Sequence, residues 1–418
     1  MQPGAANIRD MDKPDISIRH FPGEHSQLRI ALVTETYPPE VNGVAMTLGR
    51  MVDGLLERGH AVQLVRPRQN PLEQPSNGEQ LEEVLASGMA IPRYAGLKLG
   101  LPAKRALTKL WSVKRPDIVH VVTEGPLGSS AIAAAHKLKL PVTSDFHTNF
   151  HRYSGHYGMG WLQRPIAAYL RKFHNRTATT FVPTAALVKE LAAEGYRDLE
   201  VIARGVDTEL FSPARRNHAL RGAWGAEDGA PVAITVGRMA AEKNLPLVLA
   251  AFAALKAQHP LAKLVFVGDG PARNELEGRH PEHIYAGMRT GVDLAQHYAS
   301  ADIFLFPSLT ETYGNVTAEA MASGLAVVAY DYAAAAELIV HQQNGLLAPC
   351  GDEATFIANA VTAADAANQT PLRRQARQSV LGHDWERIHD AFAGALATAV
   401  RNHERKQYAN NVLVVAPD

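Results

Sequence analysis

Cysteine is almost absent from this chain of 418 residues: Cys350 stands alone. One cysteine excludes an intramolecular disulfide and any cysteine-cluster metal site, and the scarcity fits a reducing compartment such as the cytosol. No stretch approaches the roughly 18 consecutive apolar residues of a membrane-spanning helix, so any membrane contact is expected to be peripheral. Net charge is missing too. The 42 basic and 42 acidic residues cancel, so whole-chain charge gives no case for nucleic-acid binding. No Gly-x-Gly-x-x-Gly follows the first strand-like run, which weakens a dinucleotide-oxidoreductase reading. From Arg29 onward there is no Asp-x-Asp pair of the kind that holds a divalent metal; Asp10-Met11-Asp12 lies before the first strand-like run. The first 27 residues are polar, carry Pro and Gly, and lack the apolar centre of a signal peptide, so they read as a flexible extension.

Apolar residues at 46% and charged residues at 20% describe a globular protein, and the length predicts two domains rather than one core. Short β-branched runs alternate with helical patterns throughout, which predicts a parallel α/β architecture. Strands are expected at Arg29–Thr34, Ala61–Arg66, Asp117–Val122, Pro141–Phe146, Thr180–Val182 and Glu200–Ala203, with helices at Val44–Arg58 and Ser129–Leu138. A polar linker is expected from Asp207 to Gly229. A second set of strands follows at Val232–Val236, Lys263–Val267, His283–Tyr285, Asp302–Phe306 and Ala326–Tyr330. The expected units are therefore 28–206 and 207–384, a helix over 385–404 and a tail over 405–418. Two Rossmann-like halves with a ligand between them is the natural arrangement.

The segment Ser308–Gly324 (SLTETYGNVTAEAMASG) sits between two strand-like runs and places Glu311 and Glu319 eight residues apart around a Gly-containing turn. A strand, a small-residue turn and a helix N-terminus together can hold an anion such as a diphosphate. A carboxylate on each side could accept hydrogen bonds from hydroxyls flanking that anion, as in a nucleotide sugar. Arg238 and Lys243 follow the strand Val232–Val236, where basic groups can grip phosphate oxygens. The loop after the first strand contains Pro38-Pro39 and Asn42-Gly43. Gly43 lets the backbone approach a ligand, although Asn42 as an ordinary helix cap also fits. His147 lies just past a strand and would face the cleft. His151 is four residues on, without the carboxylate of a zinc signature. Gly268, Gly287 and Met288 sit at βα turns where a base could lie. Between Arg93 and Pro116 there are seven basic residues and no acid. Phe146 to Lys189 is likewise acid-free, with Arg152, Arg164, Arg171, Lys172 and Arg176 among aromatics. Such a surface can bind an anionic bilayer face without inserting; two solvated basic helices are the plainer alternative.

Together the Glu-x7-Glu segment and the upstream Gly-Arg…Glu-Lys-Asn arrangement resemble the retaining glycosyltransferases of the GT-B fold, family 4 (glycosyl transferases group 1). That family includes bacterial mannosyl- and glucosyltransferases, and the resemblance runs from about Arg29 to Ala399. It implies two Rossmann-like domains facing across a cleft and a final helix crossing back to the first. Catalytic roles would fall to His147, Arg238, Lys243 and Glu311. The diphosphate would be held by Arg238 and Lys243 with backbone N–H groups around Tyr313, Gly314, Asn315 and Val316. Glu311 would take the sugar hydroxyls and Glu319 the ribose. Gly43 would approach the phosphates, though many members carry Gly-Gly where this chain has Asn42-Gly43. Gly268, Gly287 and Met288 would line the base pocket, and Glu35, Glu124, His147 and Arg152 the acceptor side. The donors implied are GDP-mannose, UDP-glucose or UDP-galactose, and the acceptor a lipid such as diacylglycerol or a glycolipid. No cofactor and no essential divalent metal is expected, nor any nucleic-acid partner. The expected location is the cytoplasm, with peripheral contact to the inner face of the membrane. The alternatives are a GT-B-type epimerase or phosphorylase, or a non-catalytic nucleotide-sugar-binding protein.

Overall fold

A computed structural model describes residues 27–40, 42–90, 98–147, 163–226 and 229–412. The strands in chain order are β1 (Arg29–Val33), β2 (Ala61–Pro67), β3 (Leu81–Ala86), β4 (Gly88–Ala90), β5 (Lys98–Gly100), β6 (Ile118–Val121), β7 (Val142–Asp145), β8 (Thr179–Val182) and β9 (Leu199–Val201). Then come β10 (Val232–Val236), β11 (Lys263–Val267), β12 (Ile284–Gly287), β13 (Ile303–Phe306), β14 (Ala326–Tyr330) and β15 (Leu346–Ala348). Two parallel sheets form, ordered β3-β2-β1-β6-β7-β8-β9 and β12-β11-β10-β13-β14-β15, with β4 and β5 as a small antiparallel ribbon. Counted within its own sheet, each reads 3-2-1-4-5-6, the doubly wound order, and the first adds a seventh strand. Helices cover both faces, so central strands such as VAITV and IFLF are buried throughout and read as continuous apolar runs.

In this topology the order reverses between β1 and β6, and again between β10 and β13. Loops leaving the strand carboxyl ends there diverge to opposite faces and open a crevice. The loops carrying Glu35, Glu124, Arg238, Lys243 and Glu311 leave strands at these two places, and those carrying His147, Gly268 and Met288 leave the same ends of the strands β7, β11 and β12.

Expectations change at three places, the third at the end of the last helix. β3 (LEEVLA) had no strand signal because it is a charged edge strand: Arg66 on β2 pairs with Glu83 on β3 at 3.0 Å and with Glu73 at 2.8 Å. The stretch from Asp207, expected as a polar linker, is folded onto the second sheet. Phe211 and Trp224 join its core. The buried Arg221 donates to the Ser300 carbonyl at 2.8 Å and to Asp302 at 3.0 Å.

The last helix, Trp385–Val412, returns to the first sheet and continues beyond residue 404 into the stretch expected as a tail. Phe392, Leu396 and Val400 enter the same core as Leu48, Met51, Val52 and Leu55 of the helix Gly43–Glu57. Each fully buried side chain of this kind contributes roughly 1.5–3 kcal/mol. Where the chain crosses between sheets, the outgoing and returning segments run side by side, with Val206 N–H donating to the His383 carbonyl at 2.9 Å. Among the described residues no helix is long and apolar enough to cross a membrane.

Candidate functional site

The crevice of the second sheet collects most of the candidate residues. The loop after β10 carries Gly237, the exposed Arg238 and, in a short 3-10 turn (Ala241–Lys243), the half-buried Lys243. Gly268 after β11 lies against the Gly237 carbonyl so closely that a Cβ would stand 2.0 Å from it. The loop after β13 supplies Ser308 and Glu311. Lys243 Nζ pairs with Glu311 Oε1, and the same oxygen accepts from Ser308 Oγ at 2.8 Å. The ammonium also lies over the Phe306 ring, 5.2 Å from its centroid. Phe306 separates two shallow depressions, one lined by Gly237, Arg238 and Lys243, the other by Ser308, Glu311 and Tyr313.

Gly314 caps the helix Asn315–Ala322 with φ +89°, a left-handed conformation that favours glycine. It turns the chain so that the helix begins at once, leaving the first-turn N–H groups of Asn315 and Val316 without intrahelical carbonyl partners at the crevice. Glu319 sits one turn further in. Its Oε2 accepts from Tyr298 O–H at 3.0 Å, and burial pushes the carboxyl up to about 7 against the pull of that hydrogen bond. The buried Tyr313 points its hydroxyl at the Arg204 carbonyl, 3.4 Å away. Gly287 closes β12 and Met288 beside it is half exposed.

The first sheet's crevice holds the remaining candidates. Asn42 does cap the helix Gly43–Glu57, its Oδ1 accepting from Ala45 N–H at 2.9 Å. Gly43 is exposed and a Cβ there would meet nothing within 4 Å, so packing within the chain does not require glycine. His147 Nε2 lies 2.9 Å from Asp145 Oδ2, and Arg204 Nη2 approaches His147 Nδ1 at 3.4 Å. Burial lowers the His147 pKa in spite of the Asp145 charge. Burial would raise Asp145, but the imidazoles of His120 and His147 hold its carboxyl well below the usual range. The neutral ring therefore donates from Nε2 to Asp145 and accepts at Nδ1 from Arg204. A sugar hydroxyl would reach a ring nitrogen only by displacing one of them.

Glu35 and Glu124 lie at the ends of β1 and β6. Glu35 Oε1 accepts from Leu127 N–H at 3.3 Å at the start of the helix Pro126–Lys137, and burial pushes this carboxyl up to about 7. A Cβ on Gly125 would sit 2.0 Å from both Glu35 oxygens. Glu124 is buried, 3.5 Å from His174 Nε2. Arg152 and His151 fall outside the described residues.

The crevices meet. Asn315 Nδ2 donates to Thr47 Oγ1 at 3.2 Å, and Arg50 pairs with Asp207 at 2.7 Å. Sequence reading did not single out Ser308, Phe306, Tyr298, Asp145, Arg204 or Thr47. Asp145 alone had a local signal: two residues before His147 at a strand end, it points to the same side. Two groups among the described residues could hold a metal ion, His280/Glu282/His283 and Glu57/Glu386/His389. The first lies at the amino end of β12, away from the crevice, and the second where the helices Gly43–Glu57 and Trp385–Val412 cross.

Family models match both halves: Glycosyltransferase Family 4 over residues 41–210, and Glycosyl transferases group 1 over residues 230–365. A GDP-mannose-dependent alpha-mannosyltransferase of Mycobacterium tuberculosis is 33% identical, across 91% of this chain and 99% of that protein. An alpha-monoglucosyldiacylglycerol synthase of Streptococcus pneumoniae is 27% identical, across 92% of this chain and 89% of its own length. Among solved structures, Anabaena HepE in complex with UDP and glucose superposes with a TM-score of 0.71 at 18% identity, covering 89% of this chain and 100% of that one. This is the GT-B fold.

Proposed function

Because the chain belongs to glycosyltransferase family 4 and is a glycosyltransferase, we propose that it moves a hexose from a nucleoside-diphosphate sugar to a lipid-borne hydroxyl, with retention of anomeric configuration. The observation that carries this reading is the Lys243–Glu311 pair beside the N-terminus of the helix Asn315–Ala322, facing the first-sheet crevice. A diphosphate entering there would take Lys243 and Arg238 as counter-charges and the first-turn N–H groups as donors. Glu311, released from Lys243, would accept from the sugar hydroxyls, and Glu319 from the ribose. Gly268, Gly287 and Met288 would border the base. The charge growing on the departing diphosphate would be met by fixed cations and dipoles, which is where an enzyme gains most. Neutralisation by Arg238 and Lys243 needs no divalent cation, so turnover should survive EDTA.

GDP-mannose is the favoured donor, since the mycobacterial relative is named for it. The diacylglycerol named in the streptococcal relative's product favours a lipid acceptor. Charge on the first domain supports the same side. The helix Lys104–Val113 exposes Lys104, Arg105 and Lys109, the helix Gln163–His174 exposes Arg164, Arg171 and Lys172, and both pack on the helix Pro126–Lys137. Such a surface would rest on anionic lipid. The deciding experiment supplies GDP-mannose, UDP-glucose or UDP-galactose with a bacterial lipid extract, follows nucleotide release and identifies the new glycolipid and its anomer. Release without any glycolipid product, or an inverted product, would reject the reading. A protein that fails to sediment with anionic vesicles at low salt would reject the membrane contact.

A further inference from the structure

One face of the helix Gly43–Glu57 meets the donor loop of the second sheet, the outgoing crossover and the returning helix. Gly43, Thr47, Arg50 and Gly54 recur at intervals of four, three and four residues, so they share a stripe. In order along it, Gly43 opens on the crevice and Thr47 Oγ1 accepts from Asn315 Nδ2 at 3.2 Å. Arg50 pairs with Asp207 at 2.7 Å, at the outgoing crossover. Gly54 lies under the His389 ring of the returning helix, where a Cβ would stand 2.2 Å from the imidazole. All three contacts, of Thr47, Arg50 and Gly54, join segments far apart in sequence, and only Thr47 touches the donor loop.

Thr47 is buried at 3% exposure, yet its hydroxyl serves a residue of the other sheet's domain. Its partner Asn315 is the first residue of the helix whose N–H groups would meet the diphosphate. We propose that Thr47 is a positioning residue for transfer: its hydroxyl holds Asn315, and with it the start of the helix Asn315–Ala322, against the first domain when the cleft is closed. This rests on the donor-site reading above. The hydrogen bond exists only while the two crevices face each other, so it adds nothing to nucleotide bound by the second domain alone. It favours the closed arrangement in which sugar and acceptor meet. Arg50 and Gly54 tie the same helix to the outgoing crossover and to the returning helix.

The test compares Thr47→Val, which keeps the shape and loses the hydroxyl, with Thr47→Ser, which keeps the hydroxyl. Binding of GDP and UDP is read by calorimetry, and turnover of GDP-mannose or UDP-glucose with bacterial lipid extract by nucleotide release. Thr47→Val should lower kcat about five- to tenfold, the worth of one hydrogen bond, while nucleotide Kd stays within about twofold of the parent. Thr47→Ser should restore kcat to within about twofold of the parent. A Thr47→Val enzyme as fast as the parent overturns the proposal, and so does a serine variant as slow as the valine one. If the parent binds neither GDP nor UDP, the donor-site reading falls and this inference falls with it. If the parent binds and turns over but Thr47→Val is unchanged, only the latch is lost.

Discussion

Tyr298→Phe isolates one hydrogen bond whose loss has a calculable result. Tyr298 O–H, 3.0 Å from Glu319 Oε2, lowers a carboxyl that burial otherwise drives upward, and the balance stands at about 7. A hydrogen bond to a charged group is worth about 1.5–3 kcal/mol. At about 1.36 kcal/mol per unit, its removal should raise the Glu319 pKa by about one to two units. Ribose hydroxyls donate to the ionised carboxylate, so sugar-nucleotide affinity in the parent should rise with pH through about 7 and then level off. In Tyr298→Phe the same rise should come at about 8–9, and at pH 7.5 the variant should bind several-fold more weakly. The assay is titration calorimetry of GDP-mannose and UDP-glucose across about pH 6 to 9, with proton release read from buffers of different ionisation heat. A sugar nucleotide is the right probe because its phosphates have no proton to titrate near neutrality. Affinity that is flat with pH in the parent, or a midpoint unmoved in Tyr298→Phe, refutes Glu319 as the ribose acceptor.

The same carboxyl affects stability with a definite sign. Its pKa is raised on folding from 4.5 to about 7, so its favourable contribution is present below about 4.5 and is lost as pH climbs through 7. Glu319→Gln should therefore raise Tm at pH 8 and leave it nearly unchanged at about pH 4, with about 3–4 kcal/mol as the ceiling, while nucleotide binding weakens. Glu311→Ala frees Lys243 from its partner, so GDP or UDP affinity should hold or increase, whereas turnover should drop about ten- to a hundredfold for the lost sugar contacts. Parallel losses in binding and turnover would contradict the separate roles of the two glutamates. Gly125→Ala would force a Cβ within 2.0 Å of the Glu35 oxygens. It should depress acceptor-dependent turnover while donor affinity, measured by calorimetry, stays at the parent level.

What could be read from residue order was whatever one local pattern encodes. The β10 and β14 strands were legible to their ends because their residues are apolar on both faces. The helix after Gly314 was legible because its turn and helix formers are contiguous. β3 was hidden because an edge strand is stabilised by charge pairs with β2 and with the segment before it, and Arg66, Glu73 and Glu83 declare nothing individually. The same physics divides the candidate site. Glu311 and Lys243 were visible as types in a spacing, but not their pairing, which depends on β10 and β13 being neighbours. His147 was visible, with Asp145 two residues before it, but the Arg204 contact at its other nitrogen arises from a separate segment brought together by folding.

The returning helix imposes an order on synthesis. Leu28, Ile30, Leu48 and Val52 share a core with Phe392, Leu396 and Val400, so their burial is incomplete until the ribosome has passed residue 400. The second sheet and its helices lie between, and contain their own cores. The half that is translated first is therefore finished last, while the inserted half can mature during elongation. Truncation within the final helix should consequently harm the amino-terminal half most, unfolding the partner that lies farthest away along the chain.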